Sequence, residues 1–137
     1  MSLLSVKGLS KTYPAFQLKD VGFDLKEGTI MGFIGKNGAG KSTTLKSMLN
    51  MVHPDSGQIT MLGKDFMTNE AWCKQNIGVV LGGIDYYPKK KLKKITEVTR
   101  RFYEKWDDAT YRKALSLFEL DENKTPDNLS AGMRVKY

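Results

Sequence analysis

The chain has 137 residues, 40% hydrophobic and 27% charged, with a net charge of +7; a globule of that size buries a real core, and the composition excludes a disordered tail or a fibrous repeat. A single cysteine, Cys73, excludes a disulfide framework and a thiolate zinc site, and a single histidine, His53, leaves no His-based metal cluster and makes a Ser-His-Asp triad a poor fit. No apolar run approaches the roughly 18 residues that cross a bilayer, and the N-terminus lacks a signal-peptide pattern, so a soluble, cytoplasmic chain is expected.

Val21, Phe23 and Leu25 alternate with polar or small neighbours, as in a half-buried strand. After the turn Lys26-Glu27-Gly28, the continuous apolar run Ile30–Ile34 predicts a strand buried on both faces of a parallel sheet. A glycine-rich loop, Gly35 to Gly40, follows. Leu45, Met48, Leu49 and Val52 then fall at i, i+3, i+4 and i+7, the apolar stripe of a helix that His53-Pro54-Asp55-Ser56-Gly57 should stop. Ile59 and Met61 predict a further strand, ended by Gly63-Lys64-Asp65. A short helix around Ala71-Trp72 and a buried strand over Ile77–Leu81 are expected next.

From Gly82 the character changes. Gly82-Gly83 and Pro88 make a loop, followed by a lysine run, Lys89, Lys90, Lys91, Lys93 and Lys94. Such a run reads as a solvated face, or as a surface that meets the phosphates of nucleic acid or lipid. Two helical stripes come after it: Ile95, Val98, Phe102 and Trp106, then Tyr111, Ala114, Leu115 and Phe118, with Asp107 or Asp108 placed to cap the second. The expected organisation is a β-rich part over 1–81 and a helical part over 82–137.

Gly35-Lys36-Asn37-Gly38-Ala39-Gly40-Lys41-Ser42 fits G-x-x-x-x-G-K-[ST] at every fixed position. The glycines let backbone N–H groups converge on phosphate oxygens, Lys41 supplies a point charge, and the Ser42 hydroxyl is a Mg²⁺ ligand candidate. The expected flanks, a buried strand before and an amphipathic helix after, point to a nucleotide. The glycine spacing disfavours a dinucleotide fold.

With these residues in place, the chain resembles the ATP-binding subunit of ABC transporters. Four stretches carry the resemblance: Leu9-Ser10-Lys11-Thr12-Tyr13 with Leu18-Lys19-Asp20-Val21, the loop Gly35 to Thr43, Pro54-Asp55-Ser56-Gly57-Gln58-Ile59, and Leu129-Ser130-Ala131-Gly132-Met133. The last is similar to the LSGGQ signature, with Ala and Met in place of Gly and Gln. The resemblance implies an α/β P-loop NTPase core of the ABC ATPase type, partial here, with an N-terminal antiparallel β region and a helical subdomain. It implies ATP and Mg²⁺ held by Gly35, Lys36, Asn37, Gly38, Ala39, Gly40, Lys41, Ser42 and Thr43, with Tyr13 stacked on the adenine. Ser130 and Gly132 would reach, in trans, the nucleotide of a second subunit in a head-to-tail dimer. By themselves, Tyr13 also reads as a packing residue and Ser130 as an ordinary helix cap. The other implied partners are transmembrane subunits, docking near 82–106, at the inner face of the cell membrane.

Two departures from the family pattern stand out. Where a Gln usually ends the strand matching Ile77–Leu81, this chain has Gly82 and Gly83, and Asp85 is the nearest replacement for its metal and water contacts. No apolar run ending in Asp-Glu occurs in the 137 residues, nor a switch histidine beyond it; His53 lies in the helix-ending turn. The expectation is the front portion of a subunit, binding ATP with little or no turnover alone, although the complete subunit is an ATPase. A nucleic-acid or ribosome-directed ABC ATPase is the alternative, but the basic residues form no long stripe interleaved with aromatics. A small-molecule kinase shares only the P-loop and leaves residues 129–133 unexplained.

Overall fold

The computed structural model describes residues 2–80 and 87–137. They form two compact units, Met1–Asn76 and Ile77–Tyr137.

The first unit is built on a four-stranded, wholly antiparallel sheet. Strand β1 (Ser2–Tyr13) pairs with β2 (Phe16–Lys26) through a two-residue turn at Pro14-Ala15, and β3 (Ser56–Met61) and β4 (Lys64–Asp65) complete the order β2-β1-β3-β4. The expected strands over 21–25 and at Ile59 and Met61 are present, and the antiparallel β region is present with them. Strand β1, whose mixed pattern gives no clean alternation, is the addition. Its register shifts on both sides of Leu9, and Gly8 takes a positive φ of 63° there. Val6, Leu9, Leu18, Ile59, Met61 and Phe66 are buried, each apolar side chain contributing about 1.5–3 kcal/mol.

Helix α1 (Lys41–Met48) lies against β1 and β2, and α2 (Glu70–Gln75) follows β4 where a short helix is expected. Helix α1 is shorter than its predicted stripe. Asn50, at φ 52°, turns the chain left-handed, and the Met51 and Val52 amides donate back to the Lys46 carbonyl, so Leu49 and Val52 lie beyond the helix. The buried face is Thr44, Ser47 and Met48, while Leu45 is exposed.

Two expectations are overturned. Ile30–Ile34 forms no strand, and Ile30 and Ile34 are 101% and 98% exposed. A doubly buried strand exists only by virtue of neighbours on both sides, and no described residue pairs with this run. Phe33 meets Phe23 edge-on, with ring centroids 5.0 Å apart. The described part of the expected 77–81 strand, Ile77–Val80, is also unpaired, with Val80 81% exposed; Leu81 lies outside the described residues.

The second unit is helical: α3 (Leu92–Thr99), a 3₁₀ turn (Arg100–Phe102), α4 (Asp108–Leu117), a second 3₁₀ turn (Pro126–Asn128) and α5 (Ala131–Lys136). Leu92, Ile95 and Leu129 make its core, with Met133 and Tyr137 packed against them. The predicted stripe on α3 is therefore displaced: Leu92, Ile95 and Thr96 face inward, whereas Val98 and Phe102 are exposed and Trp106 is not helical. Asp107 caps α4 as expected, its carboxylate accepting the Ala109 amide at 2.9 Å. The Thr96 hydroxyl links α3 to the Tyr111 hydroxyl of α4 at 2.9 Å and to the Tyr137 hydroxyl at 2.6 Å.

Gly57 shows how tightly β3 meets β1. Its φ is +114°, and a Cβ there would lie 2.6 Å from Leu9 Cα and 2.9 Å from the Gly8 carbonyl oxygen. Both are backbone atoms of a paired strand and have nowhere to go. Gly57→Ala should lower stability by about 3 kcal/mol, read from urea unfolding followed by far-UV circular dichroism; a variant within about 0.5 kcal/mol of wild type would show that the two strands separate freely.

Candidate functional site

The loop from Gly35 leads directly into α1, and two glycines give it its course. Gly38 and Gly40 adopt φ of 82° and 93°, the left-handed region that favours glycine. At Gly40 a Cβ would also lie 2.9 Å from both Leu18 Cδ1 and Phe16 Cζ, so those side-chain ends would have to move aside. The start of α1 is thus pressed onto β2 through a residue without a side chain.

Gly40 is also the N-cap of α1, so no side chain caps the helix, and its first turn carries no acidic residue. Helix starts leave backbone donors without intrahelical partners. The amides of Asn37, Gly38, Gly40, Lys41, Ser42 and Thr43 have no acceptor among the described residues, while Ala39 donates to the Lys36 carbonyl at 3.1 Å. Uncapped donors and the positive end of the helix dipole are features that favour an anion at such a position.

Lys41 turns its ammonium back across the loop, donating to the carbonyls of Gly35 at 2.6 Å and Lys36 at 2.8 Å. These neutral acceptors leave its full charge available to a phosphate. Ser42 is exposed on the first turn. Thr44 is buried and donates its hydroxyl to the Gly40 carbonyl at 2.9 Å, which commits it to the helix. Ser42 is thus well suited to a metal ion that also contacts phosphate. Among the described residues no group of three or more His, Cys, Asp or Glu side chains could hold a metal ion.

Tyr13 ends β1 opposite Phe16, with its ring exposed and the Lys11 ammonium 5.9 Å from the ring centroid. Asp55 holds this corner of the molecule. Its carboxylate accepts the Lys11 ammonium at 2.7 Å and the Thr12 amide at 2.7 Å, and its own amide donates to the Ser10 carbonyl at 2.9 Å. The turn beyond α1 is thereby tied to the residues just before Tyr13. Sequence reading found Tyr13 and the turn, but not the clamp joining them; the separation between Lys11 and Asp55 hides it.

Residues 18–137 match the ABC transporter family profile. The chain belongs to the ABC transporter family. It is 31% identical to the ABC transporter ATP-binding protein YtrB of Bacillus subtilis over 133 residues, covering 96% of this chain and 45% of that protein. It is 33% identical over 87 residues to the bacitracin transport ATP-binding protein BcrA of Bacillus licheniformis, covering 63% of this chain and 28% of that one. A solved structure described as an ATP binding subunit of an ABC transporter superposes with a TM-score of 0.83 at 29% identity, over 98% of this chain and 59% of that one. The chain thus spans roughly half the length of such relatives, and its fold is that of an ABC-type P-loop ATPase in part.

In this ABC-family chain the signature-like segment lies in the second unit. Ser130 is the N-cap of α5, its hydroxyl accepting the Met133 amide at 3.2 Å, while Leu129 is buried against Leu92 and Ile95. Gly132 has open space where a Cβ would be, so packing does not require glycine there. Gly82, Gly83 and Asp85 lie outside the described residues. No helix among the described residues is long and apolar enough to cross a membrane.

The Asp55 clamp sets a pH dependence. The hydrogen bond from Lys11, and then that from the Thr12 amide, hold the Asp55 carboxyl below its ordinary value. A carboxyl lowered in the folded state stabilises the fold fully above the unfolded value of about 3.9, and the contribution is lost as pH falls toward the lowered folded value. Asp55→Asn should lower the melting temperature at pH 7 and narrow its gap to wild type below about pH 4. A gap that is constant from neutral to acid pH would sink the clamp's ionic character.

Proposed function

We propose that this chain is the nucleotide-binding part of the ATP-binding subunit of an ABC transporter. The observation that carries it is the uncapped start of α1, with the amides of Asn37, Gly38, Gly40, Lys41, Ser42 and Thr43 facing no acceptor among the described residues and the Lys41 ammonium beside them. Gly35, Lys36, Asn37, Gly38, Ala39, Gly40, Lys41, Ser42 and Thr43 would hold the phosphates of ATP, and the Ser42 hydroxyl would be one ligand of Mg²⁺. The metal, when bound, neutralises phosphate charge and favours transfer. The exposed ring of Tyr13 is the stacking surface for adenine, kept at the end of β1 by the Lys11–Asp55–Thr12 contacts.

The same reading assigns Ser130 and Gly132 to the nucleotide of a second, head-to-tail subunit. The open space at Gly132 supports it, since packing alone leaves that glycine unexplained. In the complete subunit, ATP hydrolysis would be coupled to transport through transmembrane partners at the cytoplasmic face of the membrane, with the partner docking near 82–106. Asp85 is the candidate for contacts usually made by a Gln beside Gly82. No apolar run ending in Asp-Glu occurs within residues 1–137. Phosphoryl transfer to water needs carboxylates that hold the metal and polarise the nucleophile. The stretch therefore binds ATP with little or no turnover.

Isothermal titration with MgATP tests this. Lys41→Met removes a charged hydrogen bond of about 1.5–3 kcal/mol, so affinity should fall by roughly 10- to 150-fold with the circular dichroism spectrum unchanged. Wild-type heat retained by the variant would refute the loop as the site. Brisk Mg²⁺-dependent phosphate release by the 137-residue chain would refute the assignment of binding without turnover.

A further inference from the structure

The lysine run stands outside the nucleotide reading. Residues 87–102 hold seven Lys and Arg side chains against one carboxylate, Glu97, a balance of +6 in a chain whose total is +7. The remaining residues are therefore nearly neutral, and the molecule's positive character is concentrated in this segment.

The structure places much of that charge on one face. Leu92, Ile95 and Thr96 turn α3 inward, while Lys90 before the helix, Lys94 on it and Arg101 in the 3₁₀ turn that follows are exposed. They share a shallow depression of about 440 Å³ with Tyr87, Ile95 and Val98. Glu97 lies in the same depression and is already engaged, by Lys94 at 2.8 Å and by Arg101 at 3.7 Å. Lys89 and Lys90 meet no carboxylate among the described residues. Val98 and Phe102 are exposed beside the cations.

We propose that this face of α3, with Tyr87 and the lysines that precede the helix, is a contact surface for anionic phospholipid. Charge complementarity selects the partner's sign, and the apolar residues select its class. Lysine stems lie along apolar surface while their ammonium groups reach phosphate, and an exposed Tyr suits a headgroup layer. A nucleic-acid backbone would use the cations but gain nothing from Val98 and Phe102. The apolar face of α3 is occupied by its own core, so the contact is peripheral, not inserted. Each basic side chain near an anionic leaflet is worth about fivefold in partition. The proposal is independent of nucleotide binding at residues 35–43.

The test is co-sedimentation of the full chain with phosphatidylcholine vesicles, with and without about one-third phosphatidylserine, at low and high salt. Binding should require phosphatidylserine and weaken as salt rises. Lys89→Gln/Lys90→Gln/Arg101→Gln should reduce it by about tenfold or more, while Lys41→Met leaves it unchanged. Val98→Ser/Phe102→Ser should lower the part of the binding that survives high salt. If the triple variant loses its native circular dichroism, Lys89→Gln/Lys90→Gln alone, both solvent-facing, should still cost about 25-fold. Equal binding to neutral vesicles, or full binding by the variants, would overturn the proposal. So would displacement by inorganic phosphate, which reports a small-anion site, or stronger binding to duplex DNA than to the vesicles.

Discussion

Two missing side chains hold the first unit together. Gly40 lets the start of α1 press onto Phe16 and Leu18 of β2, and Gly57 lets β3 run against the backbone of β1 at Gly8 and Leu9. Both contacts converge on the β1–β2 hairpin, the most extensively paired part of the sheet. The far end of the glycine-rich loop is held for that reason: the helix that follows it sits directly on a paired strand. A flexible loop would lose entropy each time it closed on a ligand, whereas this one has its last glycine fixed by packing.

The hairpin also explains why Tyr13 and the loop, far apart in the chain's logic, are set by the same structure. Tyr13 ends β1 and pairs with Phe16, while Phe16 is one of the two side chains beneath Gly40. The Asp55 clamp adds a third attachment, because the turn that leaves α1 returns to Lys11 and Thr12. The segment from 41 to 55 is thus tied to the hairpin at both ends. That gives a small unit a defined site despite the length of unpaired chain at 29–36.

What was legible in the sequence was local. The loop pattern, the Asp107 and Ser130 caps and the turn at Pro54 depend on residues within a few positions of one another, and short-range hydrogen bonds decide them. The family assignment was legible for the same reason, resting on four short stretches. The strands expected at 30–34 and 77–81 were not decided locally. An apolar run states that a segment should be buried, but pairing states whether it is a strand, and none of the described residues pairs with 30–34 or 77–80. The stripe on α3 failed differently. Reading from Ile95 selected every apolar residue at helical spacing, yet the core took Leu92 and Thr96, the latter through its hydroxyl bonds to Tyr111 and Tyr137. A polar residue that is buried because its hydrogen bonds are satisfied is invisible to a hydrophobic pattern.

That Thr96 network gives α3 two distinct faces. Outward it carries Lys94 and Val98, with Arg101 of the following 3₁₀ turn beside them; inward, Leu92 and Ile95 close on Leu129, the residue just before the Ser130 cap. Tyr137 crosses the same core, donating its hydroxyl to the Leu92 carbonyl at 3.0 Å. The amides of Leu92 and Lys93 donate in turn to the carbonyls of Lys124 and Glu122, so the N-terminus of α3 is closed by the segment leading to the signature-like stretch. Interiors packed at crystal-like density do not absorb displacements by compression. Leu92 and Ile95 of α3 are thus packed in one cluster with Leu129, and Ser130 is covalently next. The basic face of α3 and the Ser130 cap therefore rest on the same small core.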